Sequence, residues 1–121
     1  LPAAWKEQIE SAFGCPIREH YGARETGGMA FDCRYRNGLH VLADQFVIEV
    51  ERDGRPAEEG ELGSILVTDL SNYATPLIRY RIGDLGRLEF GNCPCGRATP
   101  RLRLEGREVD AIRTDCELVS S

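Results

Sequence analysis

The sequence predicts an α/β fold of the α+β kind, in which a helix, a strand and a loop precede a β-barrel-like region. Residues 2–13 place apolar side chains at helical spacing. Beyond residue 30, β-branched and aromatic residues alternate with polar ones, and turns rich in glycine, asparagine and proline separate these runs. The run 76–88 is the strand around which we expect the rest of the chain to be organised.

The first predicted element is a helix that begins at Pro2, a residue suited to a first helical turn, and ends at Phe13 before Gly14. Four apolar residues recur at helical spacing, and we expect this stripe to face a core. They are Trp5, Ile9, Ala12 and Phe13. Residues 15–20 are predicted to form a short strand that leads into the next motif.

A glycine-rich loop is predicted over residues 21–28, Tyr-Gly-Ala-Arg-Glu-Thr-Gly-Gly. Glycines on both sides of Glu25 allow the backbone to approach a ligand closely. A carboxylate in such a loop can hold Mg²⁺, which prefers oxygen ligands and shares them with phosphate. The alternative is a glycine-rich turn with a solvated glutamate.

Asn37-Gly38 predicts a hairpin turn between residues 31–35 and 39–42. Such a hairpin would bring Cys33 close to His40, and the later run Cys-Pro-Cys at 93–95 supplies two more thiols. Thiolate and imidazole ligands suit zinc, and four of them leave no open position, so we expect a structural site. Its ligands would be Cys33, His40, Cys93 and Cys95. The alternative is a set of unligated cysteines with His40 packed in a strand.

Residues 45–70 predict a β-meander, with a turn at 52–56 and an acidic, solvated connection at 58–63. In the following run, 76–88, Ile78, Tyr80 and Ile82 are predicted to share one buried side, with Arg79 and Arg81 on the other. In residues 97–104, arginines are interleaved with Leu102 and Leu104, which predicts an edge strand.

Gly83-Asp84 follows the predicted central strand. The glycine allows a sharp turn, and a carboxylate just past a strand end can accept two hydrogen bonds from a vicinal diol. Taken alone, the same pair is also common turn chemistry.

The composition excludes several classes of partner. The 121 residues are 41% hydrophobic and 29% charged, which is typical of a soluble globular domain. A net charge of -5 argues against nucleic acid or an anionic membrane as the main partner, and no apolar run approaches the ~20 residues of a membrane span. Five cysteines cannot all pair within one chain. We expect a cytoplasmic protein with free or metal-bound thiols.

Three motifs resemble those of the adenylate-forming enzymes, a superfamily that includes acyl-CoA synthetases. Residues 80–84, Tyr-Arg-Ile-Gly-Asp, resemble its Tyr-Arg-Thr-Gly-Asp motif, and Pro-Leu-Ile-Arg at 76–79 is similar to the branch of phenylacetate–CoA ligase and the capsule-biosynthesis adenylate formers. Residues 21–25 resemble its Tyr-Gly-x-Thr-Glu motif. Residues 106–110 resemble its Gly-Arg-x-Asp-Asp hinge.

The resemblance implies a role for each matched residue in a nucleotide site. Asp84 would hold the ribose hydroxyls of ATP with Arg107 beside it, Tyr21 would lie against the adenine, and Glu25 would bind magnesium. Gly22 belongs to the same loop, and Arg24 stands where the family has the hydroxyl residue that touches the α-phosphate. The hinge would fall at Val109 and Asp110, with valine at the position of the polar pivot.

The implied reaction is attack of a carboxylate on the α-phosphorus of ATP, which gives an acyl-adenylate that usually passes to a thiol such as CoA. Some members of the branch carry a comparable cysteine and histidine set. The family closes its site with a late lysine, whereas the one lysine here is Lys6, and neither a starting methionine nor the family's phosphate loop is present. We therefore expect an internal or C-terminal piece of a longer ligase that is inactive when isolated.

The expected division is the end of a nucleotide-binding subdomain over 1–30, a β-barrel-like subdomain over 31–105, and a hinge with the start of a C-terminal domain over 106–121. The alternative function is a zinc-stabilised β module that binds a partner and performs no chemistry. Arg24 and Val109, which depart from the family pattern, favour that alternative.

Overall fold

The computed structural model describes residues 2–113 and 118–120, and within them one helix precedes ten strands. The helix is α1 (Ala3–Phe13). The strands are β1 (His20–Ala23), β2 (Gly27–Phe31), β3 (Leu39–Val41), β4 (Phe46–Arg52), β5 (Arg55–Pro56), β6 (Gly63–Asp69), β7 (Tyr80–Glu89), β8 (Arg101–Arg107), β9 (Ala111–Arg113) and β10 (Leu118–Ser120).

Strands β1 to β8 form one antiparallel sheet in the order β1-β2-β3-β8-β7-β6-β4-β5, and β9 pairs with β10. The predicted α+β class is therefore confirmed. The sheet is open, since its outer strands β1 and β5 do not pair with each other.

The sheet is strongly curved, as the barrel-like prediction requires. The Tyr21 hydroxyl on β1 lies 2.8 Å from a carboxylate oxygen of Asp84 on β7, four strands away in the sheet order. In a flat sheet these strands would stand about 19 Å apart, which is farther than the two side chains reach. The curvature therefore brings β1 and β7 close enough for their side chains to meet on one face of the sheet.

A single apolar cluster fills the curved face. In β4 the buried residues alternate with more exposed ones, as the meander prediction requires. The central part of β6 is buried continuously. The cluster consists of Tyr21, Met29, Ala30, Val41, Phe46, Ile48, Val50, Ile65, Val67, Leu88 and Leu102.

Helix α1 forms where the sequence predicts it and ends at Gly14, which adopts a left-handed φ of 64° and donates its N–H to the Glu10 carbonyl. Its apolar stripe, however, does not face a core. Trp5 is 60% exposed and Phe13 is 77% exposed. Within the described residues, a polar side chain ties α1 to the segment that leads into β1, since the Glu10 carboxylate accepts the N–H of Ile17.

The central strand is shorter than predicted at its N-terminal end. It begins at Tyr80, because Arg79 adopts a left-handed φ of 48° and its N–H is bonded to Thr68 Oγ1. Ile78 precedes the strand and is 74% exposed, and Tyr80 is 37% exposed. The prediction that these two residues share a buried face is therefore wrong.

Gly83 and Asp84 lie inside β7 rather than beyond its end. Across the β6–β7 pairing, Leu66 faces Arg81 while Ser64 faces Leu85. One residue of β6 thus opposes three of β7, and Gly83 takes a φ of 85° within this bulge. A bulge re-aims the side chains of its strand, which is how Asp84 reaches its partners.

The hairpin around Asn37-Gly38 is only partly as predicted, because its first strand lies at 27–31 instead of 31–35 and the connection is longer than a two-residue turn. Phe31 faces His40 across β2 and β3, and seven residues, 32–38, join the two strands. The chain reverses at Cys33, whose carbonyl accepts the N–H of Arg36 at 2.9 Å.

Two other strand predictions are corrected by the structure. The strand expected over 15–20 starts only at His20. The expected edge strand over 97–104 is β8, which lies between β3 and β7 and is bonded on both sides. Its arginines fit this interior position because Glu89 on β7 pairs with Arg101 and Arg103. In the part of the chain that the structure describes, no helix has the length and apolarity to cross a membrane.

The buried face of β6 carries much of the stability of the sheet. We expect Ile65→Ala to lower the free energy of unfolding by about 2–5 kcal/mol, because Ile65 is fully buried and truncation creates a cavity. Val47→Ala, on the neighbouring β4 but 44% exposed, is the matched control and is expected to change it by about 0.5 kcal/mol. Urea unfolding measures both, and equal losses would contradict this packing.

Candidate functional site

The carboxylate of Asp84 is held by hydrogen bonds at both of its oxygens. The Tyr21 hydroxyl donates to Oδ2 at 2.8 Å, and Arg107 Nε donates to Oδ1 at 3.1 Å. Arg107 faces Asp84 directly across β7 and β8. Three residues from β1, β7 and β8 therefore form one cluster, although 63 residues separate Tyr21 from Asp84.

Tyr21 acts as a fixed donor in this cluster. Its side chain is 6% exposed and belongs to the apolar core. Burial, together with the hydrogen bond to Asp84, raises the pKa of Tyr21 above its ordinary value. The hydroxyl therefore stays protonated at neutral pH and donates to the carboxylate.

The cluster presents a preorganised acceptor beside a cation. The Asp84 side chain is 18% exposed, and that of Arg107 is 65% exposed. Each carboxylate oxygen has a second lone pair beyond the one its internal donor occupies. Asp84 can therefore accept two further hydrogen bonds from adjacent hydroxyl groups, with a guanidinium alongside that attracts anionic groups.

Arg24 and Glu25 lie at the exposed tip that joins β1 to β2. Within the described residues, no hydrogen bond or ion pair joins either side chain to Asp84 or Arg107. The glycine-rich loop is thus a tight hairpin. Gly22 has a packing role in it, because a Cβ there would lie 2.3 Å from the Gly27 carbonyl oxygen.

The predicted hinge follows the cluster immediately. Glu108–Asp110 form a single 3-10 turn after Arg107, and Val109 is 86% exposed. Glu108 lies 3.4 Å from Arg81, which also pairs with Glu51. This turn is therefore tied to the same strand that carries Asp84.

The predicted metal ligands form a second cluster. The ligand atoms of Cys33, His40, Cys93 and Cys95 all lie within 4.8 Å of one another. The sulfurs of Cys33 and Cys93 are 3.7 Å apart, and Cys95 Sγ lies 3.5 Å from His40 Nε2. In tetrahedral zinc with Zn–S bonds of about 2.3 Å, the corresponding distances are about 3.8 Å and about 3.6 Å. The donor set and its spacing therefore fit this metal.

The surroundings prepare two of these side chains for ligation. Burial, with the charges of Arg97 and Arg101, lowers the pKa of His40, so its ring stays neutral. Its Nδ1 lies 3.3 Å from Thr99 Oγ1, which orients Nε2 toward the thiols. The backbone N–H and the guanidinium of Arg97, together with the neighbouring thiols, lower the pKa of Cys95 to about 7, which favours the thiolate.

Sequence reasoning missed the bond between Tyr21 and Asp84, and it missed Thr99. The alternation of β1 indicates that Tyr21 and His20 point to opposite faces, but only the curved sheet reveals the partner. No sequence signal indicates Thr99. Cys15 is exposed and lies outside the metal cluster, and Cys116 lies outside the described residues.

The chain is similar in sequence to enzymes about four times its length. Phenylacetate–coenzyme A ligase of Thermus thermophilus is 35% identical over 115 residues, which cover 90% of this chain and 26% of that protein. Protein CapK of Staphylococcus aureus is 33% identical over 85 residues, 69% of this chain and 17% of that protein. The chain thus spans about a quarter or less of these curated relatives. No family model matches it.

Two solved structures share the fold. An open conformation of 2-hydroxyisobutyryl-CoA ligase in complex with 2-HIB-AMP and CoA superposes with a TM-score of 0.85 and 26% identity, over 98% of this chain and 29% of that one. O-succinylbenzoate coenzyme A synthetase of Bacillus subtilis, in complex with ATP and a magnesium ion, gives 0.65 at 22% identity, over 98% and 27%. The second likeness shows the fold alone.

The four-ligand cluster generates a direct prediction. We expect the purified chain to bind about one zinc ion, because four suitable ligand atoms lie close together and would fill a tetrahedral site. Cys93→Ser removes one thiolate and is expected to lose most of the metal, while Cys15→Ser, at the exposed cysteine outside the cluster, is expected to retain it. Elemental analysis with a competing chelator measures both. Equal zinc content in the two variants would refute the site.

Proposed function

This chain is a relative of one segment of the phenylacetate–CoA ligases, which belong to the adenylate-forming superfamily, and we propose that it forms part of their kind of ATP site. The observation that carries the proposal is the Asp84 carboxylate, held at both oxygens by Tyr21 and Arg107. An acceptor with two remaining lone-pair positions suits the adjacent hydroxyls of a ribose.

In this proposal Asp84 accepts both ribose hydroxyls, and Arg107 neutralises charge beside them. Tyr21 reaches the site through its hydroxyl, and its ring is proposed to lie against the adenine. Preorganisation favours binding, because the carboxylate already has its orientation before the nucleotide arrives. In this proposal, the hydrogen bonds from Tyr21 and Arg107 that orient Asp84 are therefore the basis of nucleotide affinity.

The proposed reaction has two steps. A carboxylate oxygen of the acid attacks the α-phosphorus of ATP, a P–O bond to pyrophosphate breaks, and an acyl-adenylate forms. The sulfur of CoA then attacks the acyl carbon, the C–O bond to AMP breaks, and a thioester results. Such displacement depends on positioning and charge stabilisation more than on a protein nucleophile. The related ligase bound to 2-HIB-AMP and CoA supports this chemistry.

Mg²⁺ is proposed at Glu25, with Arg24 near the α-phosphate and Gly22 keeping the hairpin narrow. Both charged residues are exposed at the β1–β2 tip, three to four residues beyond Tyr21. The tip therefore presents two charged side chains just beyond the end of β1, the strand that carries Tyr21. When bound, the metal would offset the negative charge of the phosphates.

The cysteine and histidine cluster is proposed to hold structural zinc through Cys33, His40, Cys93 and Cys95. Four protein ligands exclude a substrate from the metal, so the ion would stabilise the fold. The unpaired state of all four described cysteines supports a reducing compartment, and we propose the cytoplasm.

The proposed division keeps residues 1–30 with the nucleotide-binding part, 31–105 with the β-barrel-like part, and 106–121 with the hinge at Val109 and Asp110. A second candidate function is a zinc-stabilised β module without catalysis. Glu25 favours it, because this side chain makes no described contact with the Asp84 cluster.

Nucleotide titration tests the proposal. We expect the chain to bind AMP with a millimolar Kd, and Asp84→Ala to weaken binding by roughly tenfold to a hundredfold, since hydrogen bonds to a charged acceptor are lost. Asp44→Ala, an exposed carboxylate between β3 and β4, is the matched control and is expected to bind normally.

Chemical-shift titration measures these affinities, and carboxylate-dependent pyrophosphate exchange is expected to be absent from the isolated chain. Equal AMP affinity in wild type and Asp84→Ala would refute the ribose assignment. Absence of AMP binding altogether would favour the non-catalytic module. Exchange activity of the isolated chain would refute its expected inactivity.

A further inference from the structure

A narrow part of the sheet lies between the two halves of the candidate nucleotide site. Strand β3 pairs with β8 through Leu39–Leu102 and His40–Arg101, and with β2 through two pairs. By comparison, β7 and β8 remain paired from Asp84–Arg107 to Glu89–Arg101. Tyr21 lies on one side of this narrow junction, while Asp84 and Arg107 lie on the other.

The metal cluster crosses this junction. Cys33 follows β2 and His40 lies on β3, so both belong to the side that carries Tyr21. Cys93 and Cys95 belong to the β7–β8 connection, on the side that carries Asp84. Two ligands thus come from each side of the short pairing.

Besides the Tyr21–Asp84 bond and the shared apolar cluster, the described residues form further hydrogen bonds across the junction. The N–H of Val41 donates to the Pro100 carbonyl at 2.9 Å, and Asn37 Oδ1 accepts a bond from Arg103 at 2.6 Å. Thr99 meets His40 Nδ1 directly. A metal ion that fixes four side chains at bonding distance would reinforce this region more than any single one of these hydrogen bonds.

We infer that a metal ion held by Cys33, His40, Cys93 and Cys95 stabilises the position of strands β1, β2 and β3 relative to β7 and β8. The metal thereby keeps Tyr21 in place against Asp84. The metal supports nucleotide binding without touching the nucleotide. This inference rests on the proposed nucleotide function and on the proposed metal site, and it adds a coupling between them. Coupling of this kind is reciprocal, so nucleotide also tightens metal binding.

The test titrates AMP against the chain at a series of free zinc concentrations set by a chelator buffer. We expect AMP affinity to fall roughly fivefold or more as zinc is withdrawn, a coupling within the usual range. Cys15→Ser is expected to follow the wild-type curve. In Asp84→Ala, zinc is expected to have no effect on the residual AMP affinity.

Thr99→Val provides a variant that keeps all four metal ligands. Loss of the hydrogen bond to His40 is expected to shift the zinc midpoint by roughly tenfold, and the midpoint for AMP binding is expected to shift with it. Zinc binding that shifts while AMP binding stays unchanged would overturn the inference, and so would an AMP affinity that does not depend on zinc.

Amide hydrogen exchange separates failure of this inference from failure of the proposed function. On zinc removal, we expect exchange to accelerate roughly tenfold or more in β1–β3, with β4 and β6 within about twofold. Uniform acceleration, or none, would overturn the inference. If exchange accelerates only in β1–β3 and the chain does not bind AMP, the metal's role at the junction is retained. The nucleotide function and its coupling to the metal are then both refuted.

Discussion

The structure depends on one constraint, the placement of a single carboxylate between donors from two other strands. Asp84 receives a hydroxyl from β1 and a guanidinium from β8 while it sits on β7 itself. The contact with Tyr21 exists only because the sheet curves, whereas Arg107 is the direct cross-strand neighbour of Asp84, next to the bulge of β7 at Gly83 and Asp84. The apolar cluster on the curved face maintains that shape, so packing and site geometry are two consequences of the same curvature.

The two candidate sites differ in what they require of the fold. The Asp84 cluster requires the sheet to curve until strands four positions apart come into contact. The cysteine and histidine cluster only joins β3 and the connection before it to the β7–β8 connection. A metal ion held by all four of these side chains would need no entry path for substrate, and the spacing of the ligand atoms suits zinc. A partly exposed carboxylate and an exposed guanidinium remain available to a ligand. These contrasts separate a stabilising site from a binding site.

Local signals predicted local structure well. The helical spacing of apolar residues before Gly14 correctly predicted α1, and the alternation of apolar and polar residues predicted β4. The turn residues at 52–56 predicted the connection between β4 and β5. The proximity of the four candidate metal ligands was also predicted, although Cys33 comes close to His40 through the connection 32–38 and not through a two-residue turn at Asn37-Gly38. Predictions failed where tertiary pairing decides. The interior position of β8, the bulge at Gly83 and the hydroxyl bond of Tyr21 follow from contacts between residues far apart in sequence. The exposure of Trp5 was likewise unpredictable, since periodicity indicates an apolar face but not what covers it.

The central claim is that Asp84 recognises the hydroxyls of a ribose, and comparison of AMP with its 2′,3′-dideoxy analogue tests it most directly. Both ligands keep the base and the phosphate, so their difference isolates the two hydroxyls. We expect the wild-type chain to bind AMP at least tenfold more tightly than the analogue, and we expect Asp84→Ala to bind the two ligands with equal affinity. A wild-type chain without preference, or a preference that survives Asp84→Ala, would contradict it.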